Sequence, residues 1–462
     1  MTGNASPRLA CFPAHISVLS FFFSTDTFAR FRAQMAESTR DKGFAAAATL
    51  VMIALVILYG VQAKYEETGA LMARYGHYQD IHIMIFVGFG FLMCFLHRSG
   101  FTATSHAFFV AAVAVLWAML NRGWWNQAFT GKRQDKVNIG INELMNGDFC
   151  AGAVLISLGA MIGRISALQL LIMAIVEVVI YHINEGILIY KYEVADVGGT
   201  MVIHLFGAYF GLACSFVLGQ KEDTKNKTHE DETSTRVTDT MAMVGTLFLF
   251  CFWPSFNGGL AGLSNPYVAQ RAVVNTLISI STSCLMAFAL CNAFHGRLRM
   301  VDVQNATLAG GVFVGASADM ALSPVGAMIL GMCAAAVSVF GYAILQPLLK
   351  ERLGLKDTCG IHNLHGMPAF FGSLAATITA TVDDSFRGDV FTAAGRRSGA
   401  EQAKWQAAGW FTTLGIALVT GAMTGAMLTC LPTLETFYAD DAEYEIPTVG
   451  EPKPPLEQNA PA

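Results

Sequence analysis

The chain has 462 residues, 54% hydrophobic and 14% charged, with a formal charge of -5 at pH 7. Such a composition lies outside the soluble globular range, and the charge forms no basic stripe that would hold nucleic acid. Apolar runs of about 20 residues, each able to cross a ~30 Å hydrocarbon core, recur over residues 44–431 and exclude a large soluble domain.

In chain order, residues 1–43 carry Arg8, Arg30, Arg32 and Arg40 around an apolar run, 16–23, too brief to span. This stretch reads as a cytoplasmic tail or an upstream extension, with Met35 as an alternative start. A transmembrane domain over 44–431 follows, with spans expected at 44–62, 80–96, 103–120, 143–163, 167–189, 197–218, 239–255, 270–294, 303–317, 323–348, 358–380 and 405–431. The fold class is therefore an all-α polytopic membrane protein of about twelve transmembrane helices, with membrane lipid as its solvent. Twelve spans put both termini on one side, and the distribution of Lys and Arg makes that side the cytoplasm. Residues 432–462, acidic and rich in Pro, read as a cytoplasmic tail ordered at most in its first part. The ten Cys lack paired spacing and read as small packing residues.

Two distant spans open with related words. Asp196 leads through Ile203 to His204 and on to Phe210 and Gly211; Asp357 leads through Ile361 to His362 and on to Phe371 and Gly372. Repeats of this kind mean two pseudo-symmetric halves, here inverted, with the functional site between them around a central pore. The shared Ile-His puts His204 and His362 in correspondence, and these two rings are expected to meet.

Ionisable residues inside a span are costly and face the bundle interior, which makes Asp196, His204, His362, His365, Glu177 and Glu185 the first candidates. A lone intramembrane His is more often a hydrogen-bonded packing residue; a pair brought to one axis by a repeat is hard to explain that way. Neutral imidazole offers one donor and one acceptor, so two rings sharing a proton form a polar line through an apolar channel. That line suits ammonia, which is small, neutral and able to donate and accept. Ammonium would carry its charge through a low dielectric at a cost of several kcal/mol. Asp196 stands eight residues before His204, roughly 12 Å by helix rise, so it caps amides or biases the local field instead of touching the ring. Glu185 is expected at a vestibule mouth, or as a solvated loop acid. The rings of Phe248, Phe250, Phe252, Trp253 and Phe256 close the seventh span, mostly as an interface belt.

From about Tyr59 to Leu431 the chain resembles the Rhesus glycoprotein branch of the ammonium transporter family. The resemblance rests on Tyr78, Gln79, Asp80, Ile81 and His82, on Asp196 to Leu212, on Trp253, Pro254, Ser255, Phe256 and Asn257, on Gly315 to Asp319 and on Asp357 to Gly366. It implies a homotrimer with one pore per subunit, twin pore histidines at His204 and His362, and a supporting acid at Asp196. It further implies two stacked gate rings, Phe149 and Phe256, and vestibule positions at Glu185 and Trp253. His365 and Asn257 are secondary, and no cofactor or metal is implied. Leu260 replaces a Ser of bacterial-type members, as in the Rhesus branch, which implies low affinity for ammonium; Phe250 stands where Rhesus members usually have Trp.

These expectations describe a channel for ammonia in the plasma membrane, with carbon dioxide as a further passenger. The rivals are an electrogenic ammonium transporter, a non-conducting sensor or structural subunit, and a zinc enzyme built on Cys359, His362 and His365.

Overall fold

A computed structural model describes residues 42–69, 72–219, 233–261, 266–320, 322–382, 397–434 and 436–446. The tail before Lys42 with Met35, the acidic stretch 222–232 and the end of the chain beyond 446 lie outside the described residues. The chain divides into two compact units, residues 1–53 and 54–462. What is described of the first is the opening of helix α1, Lys42–Gln62, where Leu50 and Met52 stand exposed. The second unit carries everything below.

Helix α2 starts as Tyr75–Ile83 and widens into a π turn, Met84–Phe89. Then come α3, Gly100–Thr130, α4, Ile141–Gly159, and α5, Ala167–Gly186 with a π turn Ile187–Tyr192. Helix α6 opens with a π turn, Thr200–Leu205, before Phe206–Gly219. It is followed by α7, Arg236–Gly258, α8, Pro266–His295, and α9, Met300–Val314. Helix α10 runs over Pro324–Leu353, α11 opens with a π turn, His362–Gly366, before Met367–Val382, and α12 is Gly399–Leu428. Among the described residues eight helices are long and apolar enough to cross a membrane; α2, α4, α9 and α11 are not among them. The described residues are mostly helical, as expected; beside the helices a short parallel ribbon pairs β1, Ala63–Tyr65, with β2, Val137–Ile139.

The helices start where the sequence supplies caps. Ser166, Ser323 and Ser398 accept hydrogen bonds from the amides of Gln169, Gly326 and Glu401, satisfying first-turn N–H groups that no helical carbonyl reaches. Helix α3 is longer than the expected 103–120, because its polar residues do not end it. Asn121 Nδ2 donates to the Trp117 carbonyl at 2.9 Å, and Arg122 is paired with Glu185 of α5 at 2.5 Å.

Small residues set the helix spacing. A methyl at Gly207 would stand 2.6 Å from the Ala153 carbonyl, one at Gly211 2.5 Å from Ser157 Cα, and one at Gly421 2.3 Å from the Phe210 carbonyl. Backbones of α4, α6 and α12 thus touch directly, the close approach that lets dispersion forces hold helices together where water gives no hydrophobic drive.

At one end of this unit the loops are tied by the segment 436–446. Phe437, Tyr438 and Ala439 are buried, and the Tyr438 amide donates to the Gly163 carbonyl at 2.8 Å. Asp440 accepts from the amides of Phe101 and Thr102 at 2.9 and 2.7 Å, capping α3 from the far end of the chain. Glu443 Oε1 accepts from the Ala167 amide at the start of α5.

Candidate functional site

The two related words build the same local structure. After Asp196 the chain turns through Gly199 at φ +65°, and after Asp357 through Gly360 at φ +69°, left-handed backbone that glycine adopts without a steric cost. Asp196 Oδ2 then accepts from the amides of Met201 and Val202 at 2.9 and 2.8 Å. Asp357 accepts from Ile361 and His362 at 2.9 Å each. Each acid therefore caps the π turn that carries the histidines, and Asp196 does not touch the His204 ring. Its second oxygen, Oδ1, is buried without a hydrogen-bond partner.

The ring that meets His204 is His365. The two Nδ1 atoms are 3.1 Å apart, the centroids 5.1 Å, and the planes differ by 7°. This corrects the expected pairing with His362. The π turn of α11 points residue 365 at α6, whereas the His362 ring lies edge-on to Tyr209 with centroids 5.8 Å apart. An Nδ1–Nδ1 hydrogen bond requires opposite tautomers, one ring donating and the other accepting. The outer Nε2 atoms of the pair are then one lone pair and one N–H.

Rings extend the pair on both sides. Phe256 stands 5.8 Å from His204 and Trp253 5.7 Å, the latter nearly parallel at 24°. Phe149 packs on Phe256 at 4.8 Å and 83°, edge to face, which corrects the expectation of stacked rings. On the other side Phe89 lies parallel to His365 at 6.1 Å. The column therefore runs Phe149, Phe256, His204, His365, Phe89, drawn from α4, α7, α6, α11 and α2. Sequence reasoning missed Phe89; nothing in its motif distinguishes it from other apolar positions of α2.

Trp253 is fully buried, its ring 5.7 Å from that of His204 and over Gly311, where a methyl would stand 2.4 Å from it. Glu185 is not an open acid, since Arg122 holds its carboxylate at 2.5 Å and leaves that side chain 16% exposed. Asn257 is buried, its Nδ2 donating to Thr276 Oγ1 at 3.0 Å and to the Gly311 carbonyl at 3.1 Å.

Beyond His365 a cavity of about 920 Å³ opens, lined by Phe89, Ile361, Tyr342, Arg299 and Lys350 among others. Cys359, His362 and His365 do not converge on one point: His365 Nδ1 pairs with His204, and the His362 ring lies edge-on to Tyr209. Among the described residues no three His, Cys, Asp or Glu side chains are placed to hold a metal ion.

Comparison with known proteins adds an independent line. The model of the Ammonium Transporter Family matches residues 43–445. Ammonium transporter Rh type C of Canis lupus familiaris is 39% identical over 442 residues, 87% of this chain and 93% of the relative. Ammonium transporter Rh type B of Mus musculus is 44% identical over 388 residues, 81% and 83% of the two chains. The solved structure of Nitrosomonas europaea Rh50, concerned with conduction by the Rhesus protein family of channels, superposes with a TM-score of 0.71 at 30% identity, covering 83% of this chain and 95% of that one. The Sensor Amt Protein, at 17% identity and a TM-score of 0.63 over 78% of this chain and 93% of that one, shares the fold.

Proposed function

The chain belongs to the ammonium transporter family, on its Rhesus branch, and from that premise we propose that it conducts ammonia across a membrane past His204 and His365. It is a membrane transport protein for ammonium or ammonia and not an enzyme. In our reading ammonium arrives on the Phe149 side and gives up its proton to the water on that side, where the proton stays. Neutral ammonia then passes the edge-to-face rings and the histidine pair into the wide cavity beyond.

The observation that carries this reading is the buried contact between the His204 and His365 rings at 3.1 Å inside an aromatic column. An ion entering that column loses its water, and the aromatic faces and two imidazoles of zero net charge that line it among the described residues replace that water only in part. Moving ammonium there costs several kcal/mol or more, whereas ammonia brings both a donor and an acceptor to match the pair. Potassium and sodium have no proton to shed, so the same cost excludes them. Asp196 supports the first step: its charge, held by two amides, favours arrival of a cation on that side. Leu260, where a hydroxyl would otherwise help hold ammonium, favours low affinity. A column of this kind would also pass carbon dioxide.

The architecture we propose around it takes α2, α4, α9 and α11 as crossing helices too, giving twelve and two inverted five-helix halves. The support is the recurrence of acid, glycine, histidine and Phe-Gly at one common spacing. With it go a homotrimer, a plasma-membrane location and cytoplasmic termini.

A second reading has its own support: a shared proton between two histidines is also the element of a proton relay, which would make transport electrogenic. Purified protein in liposomes separates the two after an ammonium pulse. Internal alkalinisation without membrane current supports the channel; alkalinisation with current supports electrogenic transport; neither, relative to empty liposomes, leaves a sensor or structural role.

A further inference from the structure

Residues 193–195 reach Asp196 through irregular backbone, with Glu193 at φ +50°, a left-handed conformation that a non-glycine residue holds only when its surroundings enforce it. No ladder of helix or strand bonds stabilises this stretch. The side chains of α12 do so instead. Gln406 Oε1 accepts from the Ala195 amide and Gln406 Nε2 donates to the Ala195 carbonyl, both at 2.8 Å. One turn earlier Gln402 Nε2 donates to the Glu193 carbonyl at 2.9 Å and to Gln406 Oε1 at 3.2 Å. Arg397 Nη1 donates to Gln402 Oε1 at 3.3 Å and to the Tyr192 carbonyl at 2.7 Å. Gln402 and Gln406 are 1% and 0% exposed, and each buried amide is paired at both its oxygen and its nitrogen.

We propose that Gln406 is a positioning residue for Asp196, serving as a surrogate strand partner for Ala195 and so setting how readily ammonium is captured above His204. A glutamine side chain presents the same N–H and C=O pair as a peptide unit. Its two-point grip fixes both the height and the rotation of the Ala195 peptide, and Asp196 is the next residue. The second acid is served similarly: Gln346 Nε2 donates to the Asp357 carbonyl at 2.9 Å and its Oε1 accepts from Asn363 at 2.8 Å. Arrangements of buried polar groups this complete tolerate the loss of one member poorly, because the partners left behind are desolvated and unpaired.

The inference rests on the ammonia pathway proposed above, and the test keeps the two apart. Initial flux into liposomes is measured against ammonium concentration for the wild type, Gln406→Leu and Gln406→Glu. Glutamate keeps the size of the side chain and the acceptor for the Ala195 amide but loses the donor. A merely structural role would reduce the fraction of working protein, lowering maximal flux and leaving the half-saturating concentration unmoved. A positioning role raises the half-saturating concentration, by at least threefold in Gln406→Leu and by less in Gln406→Glu. Should Gln406→Leu fail to assemble, the shift in Gln406→Glu decides alone. Unchanged half-saturation in the variants that assemble overturns the inference while the pathway stands; no flux from the wild type overturns the pathway.

Discussion

The imidazoles of His204 and His365 lie 7° from parallel with their Nδ1 atoms 3.1 Å apart, each carried on a π turn capped by an aspartate eight residues earlier. The wider turn costs regular hydrogen bonding, and such turns recur at functional positions. Here it brings two rings from different helices into one line.

Phe256 is the ring that separates His204 from Phe149. Phe256→Ala removes both the edge-to-face contact at 4.8 Å and the contact with His204 at 5.8 Å. Water should then reach the histidine pair, and current should accompany ammonium flux where the wild type shows none. A current-free Phe256→Ala protein would mean that this ring does not keep the column dry.

Asp357 caps α11 through two amides and touches neither pore ring. Asp357→Ala strips both caps from buried N–H groups, a loss of about 1–2 kcal/mol or more. A fall in thermal unfolding temperature, with the remaining folded protein less active, is the expected result. An unaltered melting profile would show that the cap is replaceable.

The segment 436–446 makes a prediction about stability alone. Asp440 supplies the first-turn acceptor that Ser99, at the N-cap of α3, does not supply. Asp440→Ala should lower stability by about 1 kcal/mol, and Asp440→Asn by less, since one oxygen still accepts. Thermal unfolding in detergent measures this, and equal behaviour of the two variants would count against the cap.

Gly211 leaves no room for a side chain against Ser157, with a methyl 2.5 Å from its Cα. Gly211→Ala should therefore separate α6 from α4 or fail to assemble, seen as aggregation on size-exclusion chromatography. The same substitution at Gly415, where nothing lies within 4 Å, should be tolerated.

Much of this was legible in the sequence, and the error is instructive. Apolar run length shows the helices, because a bilayer imposes it. The acids, the glycine turns and the histidine words were visible as a repeat. Matching the words on Ile-His put His362 opposite His204, one turn short of its true counterpart. The spacing of 161 residues that separates His204 from His365 also separates Asp196 from Asp357, Gly199 from Gly360 and Phe210 from Phe371. Reading register from all four pairs would have found His365. Arg122 ended a predicted span because its partner Glu185, sixty-three residues away, is invisible to local pattern. The Gln402 and Gln406 amides were silent for the same reason: a buried glutamine in a long helix resembles any polar break until its backbone partner is placed beside it.

The central claim is that His204 and His365, not His362, form the conducting pair, and internal pH recorded by stopped flow in liposomes bearing His365→Ala or His362→Ala tests it most directly. Alkalinisation slowed tenfold or more in His365→Ala and kept within about twofold of the wild type in His362→Ala is the predicted result. The reverse order would contradict it.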